Sequence, residues 1–171
     1  MIQGMATHIA HQAAVQAHYA AVHAAMAMMG RNVALLFEAD TFLMKLSPDF
    51  LSLFSVDCTA DGLVIPKGGK HIRAQRPRDA EEIIPGLLRA LANVKYVSER
   101  RNRKGEIEYG AIGELRPGRL LFVLVKFVPA RRAASGKDEA WVPTSYIVDA
   151  KEVRRLLRRG QLRPLIPASG G

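Results

Sequence analysis

Arg119–Val128 reads RLLFVLVKFV, and its alternation decides the fold. Leu120, Phe122 and Leu124 fall on one strand face; Leu121, Val123, Val125 and Phe127 fall on the other. A run that is apolar on both faces is a central strand covered from both sides. Lys126 interrupts it on the face of Phe122 and Leu124. An unpaired ammonium buried there costs several kcal/mol in lost hydration. The lysine therefore needs an acidic partner, a route to water along its stem, or an anionic ligand.

Working outward, the strands flanking this one are expected at 94–99, 106–115 and 141–148. The connections are short: RRNRKG at 100–105, Arg116-Pro117-Gly118, and 129–140 with Arg131, Arg132 and Lys137 around Ser135-Gly136. Short connections imply an antiparallel meander. Asp149 is placed to cap a closing helix at 150–159, with Val153, Leu156 and Leu157 inward and four arginines outward. Upstream, Asp79 is placed to cap a helix carrying Ile83, Ile84, Leu87, Leu88 and Leu91. Pro85 inside that pattern must kink or restart it.

Earlier still, the alanine-rich stretch 5–29 predicts a helix ending at Gly30, with Val15, Tyr19, Val22, Met26 and Met29 in one narrow stripe. A second helix is expected over 32–46, and Ser47-Pro48 opens a third. The stripe suits pairing with a second copy of the chain. His8, His11, His18 and His23 lie along the first helix; neutral histidines explain them better than a metal site, since a second ligand set is missing. The class expected is α+β: N-terminal helices followed by a four-stranded antiparallel sheet and a closing C-terminal helix. The organisation expected is a helical segment at 1–46, a compact domain at 47–163 and a flexible tail at 164–171.

Composition narrows the partners. The chain has 171 residues and a formal charge of +9. Residues 1–46 balance Arg31 and Lys45 against Glu38 and Asp40, so the whole excess falls on 47–171. A basic domain joined to a neutral segment points to a polyanion, nucleic acid first. A lone cysteine, Cys58, excludes an intramolecular disulfide and a cysteine-based zinc site. No apolar run reaches the ~18 residues of a membrane span, and the N-terminus lacks the features of a signal peptide. A cytoplasmic protein is the expectation.

Three features carry chemistry: the Lys70, His71, Arg73, Arg76, Arg78 cluster; Lys126; and Thr144-Ser145-Tyr146 after Pro143. Their order, with "KHI", then "VLVK", then "PTSY" and a charged helix, resembles the phage-associated members of the barnase–EndoU–colicin–RelE-like nuclease superfamily. The resemblance covers roughly residues 63–159. It implies a small toxin-like or phage-encoded ribonuclease, independent of metal and cofactor, cleaving RNA by 2′-hydroxyl attack to a cyclic phosphate. Carried over, the pattern falls on His71, Lys126, Thr144 and Ser145. Arg76 stands where many members have a second histidine. An acidic antitoxin or inhibitor is a further partner that this reading admits.

Those residue types suit the chemistry. Metal-free cleavage needs a base, an acid and fixed positive charge at the phosphate. His71 offers the first or second, Lys126 with Arg73 or Arg76 the third, and one of Thr144 and Ser145 a hydroxyl. Only one of those two neighbours can line a site, because adjacent strand residues face opposite ways. Arg100, Arg101, Arg103 and Lys104 in one loop, and Arg131 and Arg132 in another, are placed to hold flanking phosphates. Tyr109 and Tyr146 are candidates to stack on bases, with packing the commoner role for such residues. The competing assignments are a cross-strand pair of Lys126 with Glu106 or Glu108, a non-catalytic nucleic-acid binder on the same scaffold, and an interaction module that dimerises through its first helix.

Overall fold

The computed structural model describes residues 40–46 and 48–165. They form β1 (Thr41–Lys45), α1 (Pro48–Leu51), β2 (Gly62–Ile65), a 3₁₀ turn (Pro66–Gly69), α2 (Lys70–Gln75) and α3 (Ala80–Ala92). After these come β3 (Val94–Arg101), β4 (Ile107–Arg116), β5 (Arg119–Val128), β6 (Glu139–Trp141), β7 (Ser145–Val148), α4 (Ala150–Arg158) and β8 (Leu162–Pro164). The expected helix over 5–29 and the dimerising stripe on it lie outside the described residues.

One eight-stranded mixed sheet organises the chain, in the order β1-β2-β6-β5-β4-β3-β8, with β7 also on β5. This overturns the expected arrangement of N-terminal helices before a four-stranded antiparallel sheet. Four additions account for the difference. Residues 41–45 are a strand paired antiparallel to β2, where a helix over 32–46 was expected. β2, absent from the expected strands, joins the sheet parallel to β6, which makes the sheet mixed. The single strand expected over 141–148 is broken at Val142–Thr144 into β6 and β7, both pairing with β5. Finally β8 closes the far edge against β3, and Pro164 is tolerated there because an edge position needs no second donor.

β5 is the central strand that its sequence requires. β4 lines one edge from Arg119 to Val125, while β7 (Leu120–Val123) and β6 (Lys126–Val128) divide the other. On one face Leu121, Val123 and Val125 meet Ile83, Leu87 and Leu91 of α3 in the main core. The second face carries a smaller cluster: Phe122 and Ile112 pack with Val153 and Leu156 of α4, helped by Leu120 and Leu124.

α3 runs unbroken through Pro85. The carbonyl that Pro85 cannot satisfy is that of Glu81, an exposed residue in the first turn, so the lost bond falls where the backbone is open to solvent. Asp79 stands at the N-cap position without a side-chain cap bond. Asp149 does cap α4, accepting from the Glu152 N–H at 2.7 Å. A bidentate pair ties α3 to the start of β5: Arg119 donates to Glu82 at 2.9 and 2.8 Å. That hydrogen bonding holds the Glu82 carboxyl below its ordinary pKa.

α3 comes so close to β4 that a Cβ at Gly113 would collide with the Ala90 backbone. Backbone cannot step aside as a side-chain tip can. Gly113→Ala should therefore cost about 1–3 kcal/mol as overpacking, measured by urea unfolding with an unchanged slope. A loss under about 0.5 kcal/mol, the range of a neutral surface change, would show that the helix can shift without penalty.

Candidate nucleic-acid interface

The second face of the sheet is only partly roofed. α4 covers β5 near Leu120 and Phe122; exposure then rises through Leu124 to Lys126, which is exposed. At the edge of that roof the half-buried Tyr146 ring stacks on fully buried Phe122, centroids 5.1 Å apart and planes 12° off parallel. Phe122 and Tyr146 are register partners across β5 and β7, so alternation delivers both rings to one side. Gly110 on β4 makes room: a Cβ there would come within 2.6 Å of the Phe122 ring.

Two guanidinium groups complete the cluster. Arg76 lies over the Tyr146 ring at 5.5 Å and Arg100 over the Phe122 ring at 5.8 Å. Both distances are within the ~6 Å over which a ring quadrupole attracts a cation. Arg76 is held from both sides, its N–H donating to Ile72 O at 2.7 Å while its carbonyl accepts from Asp79 and Ala80. Arg100 is oriented by Glu108, its cross-strand partner, with Nε 3.0 Å from Oε2. Burial is the main reason the Tyr146 phenol sits above its ordinary pKa. Arg100 and Arg76 pull it down, and Glu152 and Glu108 push it up. Glu152 is itself bonded to Arg155.

The residues singled out from sequence scatter around this cluster. Arg76 and Arg100 are in it. Ser145 is fully buried on the opposite, core-facing side, and its hydroxyl donates to Phe122 O at 2.6 Å. Thr144 is half-buried, and its carbonyl accepts from Leu124 N–H at 3.2 Å. His71 is exposed on α2, beside buried Ile72. Lys126 meets its need for water directly, with no ion pair among the described residues. It borders a small hollow with Glu108, Leu124 and Pro143. No hydrogen bond or ion pair joins Lys126 to His71, so the trio His71, Lys126 and Ser145 is not assembled by any contact among the described residues.

Arg73 is half-buried on α2. Arg101 donates to Gly105 O in the β3–β4 hairpin, whose tip exposes Arg103 and Lys104. Asn102 shapes that hairpin by accepting from Lys104 N and Glu106 N. Arg131 and Arg132 are exposed on the loop after β5. Asp138 pins this loop, accepting from Ala130 N, Thr59 N and the Thr59 hydroxyl. These bonds, led by the one from Thr59 N–H, hold its carboxyl below the ordinary range.

Phe122 and Glu108 were not legible as members of a site. The available signal was Gly110 inside a strand, which marks a close approach. Among the described residues no group of three or more His, Cys, Asp and Glu side chains is placed to hold a metal, and no helix is long and apolar enough to cross a membrane. Comparison with protein-family models, curated proteins and solved structures finds no match for the chain.

The phenol's position is measurable. Burial raises its pKa, so its contribution to stability is intact below the ordinary value of 10.0 and is lost as pH rises through the folded value. In an absorbance titration, Tyr146→Phe should remove a component that titrates above 10.0. A missing component at or below that value would contradict the burial described.

Proposed function

We propose that this chain binds single-stranded RNA across the open face of its sheet. The observation that carries the reading is the cluster of Phe122, Tyr146, Arg76 and Arg100. Tyr146, half-buried and backed by the fully buried Phe122 ring, offers an aromatic surface to an unpaired base. The Arg76 and Arg100 guanidinium groups beside the two rings offer charge to the phosphates, whatever the base. The +9 charge supplies long-range attraction, and the exposed Arg103 and Lys104 hairpin and the Arg131 and Arg132 loop extend the basic surface around it.

A second reading, metal-independent cleavage on the same face, is favoured by one arrangement. The Glu108 carboxylate pairs with Arg100, and the protonated phenol of Tyr146 lies within electrostatic reach of both. In that scheme Glu108 takes the 2′-hydroxyl proton as the 2′ oxygen attacks phosphorus. Arg100 and Arg76 stabilise the charge on the phosphorane. The bond to the 5′ oxygen breaks, and Tyr146 protonates that leaving oxygen. The products are a 2′,3′-cyclic phosphate and a 5′-hydroxyl.

Fluorescence anisotropy with a labelled single-stranded RNA, its duplex and the matching DNA tests the first reading. Tyr146→Ala should weaken single-strand binding by about 1–3 kcal/mol, and Arg76→Ala should flatten the salt dependence by about one phosphate contact. Unchanged affinity in both variants sinks the proposed face. Incubation of RNA in EDTA tests the second: cyclic-phosphate ends should form, and Glu108→Gln and Tyr146→Phe should abolish them while RNA remains bound. Binding without cleavage by the unaltered protein removes the second reading and keeps the first. Cleavage that survives Tyr146→Phe but is lost in His71→Ala overturns the assignment of the acid.

A further inference from the structure

Beyond the last β4–β5 pair, Tyr109 with Val125, a cleft of about 540 Å³ opens between the 56–58 segment and the loop after β5. Tyr109 and Phe127 border it, an edge-to-face pair with centroids 5.3 Å apart. Ile107, 46% exposed and one of two exposed large apolar side chains among the described residues, adds to its rim. Lys126 and Arg132 also border it, and neither forms an ion pair among the described residues.

The carboxylates bordering the cleft are less available than their number implies. Asp138 uses Oδ1 on Ala130 N and Oδ2 on the Thr59 N–H and hydroxyl. Glu106 accepts from Asn102 within the hairpin. Asp57 alone remains exposed and uncommitted among them. The lining is aromatic and aliphatic, with three carboxylates and two cations that form no ion pair among the described residues. Asp138 and Glu106 keep their charge but have acceptor oxygens already engaged, and Asp57 does not; the groups a nucleotide needs are present. The base fits the apolar lining, the phosphate meets the cations, and the carboxylate accepts from an exocyclic amine or a ribose hydroxyl. Lys126 also borders the hollow that holds Glu108 on the open face, so the two regions adjoin at one side chain.

We infer that this cleft holds one nucleotide of an RNA strand that crosses the open face and turns over the lip at Lys126. The inference rests on the RNA-binding reading above. It adds a pocket that takes a single unstacked nucleotide, with Lys126 and Arg132 on its phosphate.

The chain carries its own probe. Its one tryptophan, Trp141, is the register partner of Lys126 across β5 and β6. Titrating the full chain with adenosine or uridine 5′-monophosphate should change Trp141 fluorescence saturably, and inorganic phosphate should do so at least about tenfold less tightly, lacking the base. The Lys126→Ala, Arg132→Ala pair should weaken mononucleotide binding at least about tenfold and reduce the salt slope of RNA binding by about one to two contacts. Ile107→Asp, which alters an exposed rim residue and spares the core, should weaken mononucleotides as well. Arg76→Ala should leave mononucleotide affinity unchanged while weakening RNA.

If mononucleotides fail to bind, or bind the double variant equally well, the cleft inference is overturned while RNA binding by the unaltered chain keeps the open-face reading. If they bind but the double variant holds RNA with unchanged salt dependence, the pocket serves free nucleotides, and its place on an RNA path is overturned.

Discussion

The structure depends on how one strand edge is shared. β5 offers ten residues of ladder toward β6 and β7, and neither of these strands is long enough to fill it. β7 takes Leu120–Val123 and β6 takes Lys126–Val128, with Thr144 O accepting from Leu124 N–H between them. The chain must therefore break its ladder at Val142–Thr144. Pro143 suits the break because it has no N–H to leave unpaired. The split has two consequences. β6 remains free to take β2 on its other edge, which carries the sheet on to β1. β7, displaced from that path, presents Tyr146 within reach of Arg76 at the junction of α2 and α3.

Unequal covering of the two faces follows from helix length and placement. α3 has thirteen residues and sends Ile83, Leu87 and Leu91 across the main core. α4 has nine, of which Val153 and Leu156 are buried, so its roof stops near Phe122. Beyond it an apolar strand face would meet water, and the chain answers with Leu124 half-covered and Lys126 in solvent. The charge is tolerated because the strand outruns its roof. No buried counter-ion is required, and the desolvation that an interior lysine would suffer does not arise.

What could be read from the sequence follows from which forces are local. Alternation in RLLFVLVKFV identified β5 and both of its faces, because burial on two sides leaves its mark residue by residue. The α3 and α4 stripes were legible for the same reason. Residues 41–45 were not: Phe42, Leu43 and Leu46 satisfy helical spacing, and five residues are too few for alternation to outweigh it. Pairing with β2, twenty residues away, decided the matter. The break between β6 and β7 was half-legible, since Pro143 marked an irregularity without revealing that both halves pair with β5. Pro164 read as the start of a loose tail, yet an edge strand accepts it. At the site, alternation could not say which of Thr144 and Ser145 faces the core; register against Val123 does, and it turns Ser145 inward. The position of Lys126 failed for a different reason. Alternation gives the face a residue points to, whereas exposure depends on where the covering helix ends.

Net charge is a poor guide to which cations can act. Arg119 and Arg116 lie against Glu82, and Arg155 against Glu152, so these guanidinium groups serve the fold's own carboxylates. Their attraction for a distant polyanion is largely cancelled within a Debye length. Arg100 differs, because its partner Glu108 fixes the guanidinium over an aromatic ring instead of drawing it away. Arg76 has its backbone fixed by hydrogen bonds and its guanidinium over the Tyr146 ring, and its charge is uncompensated by any ion pair among the described residues. A flexible surface arginine loses rotamer entropy when it meets a phosphate; one already held against a ring loses less. On the proposed reading, recognition on this sheet would rest on a few cations beside Phe122 and Tyr146, and the remaining excess charge would set how fast a polyanion arrives.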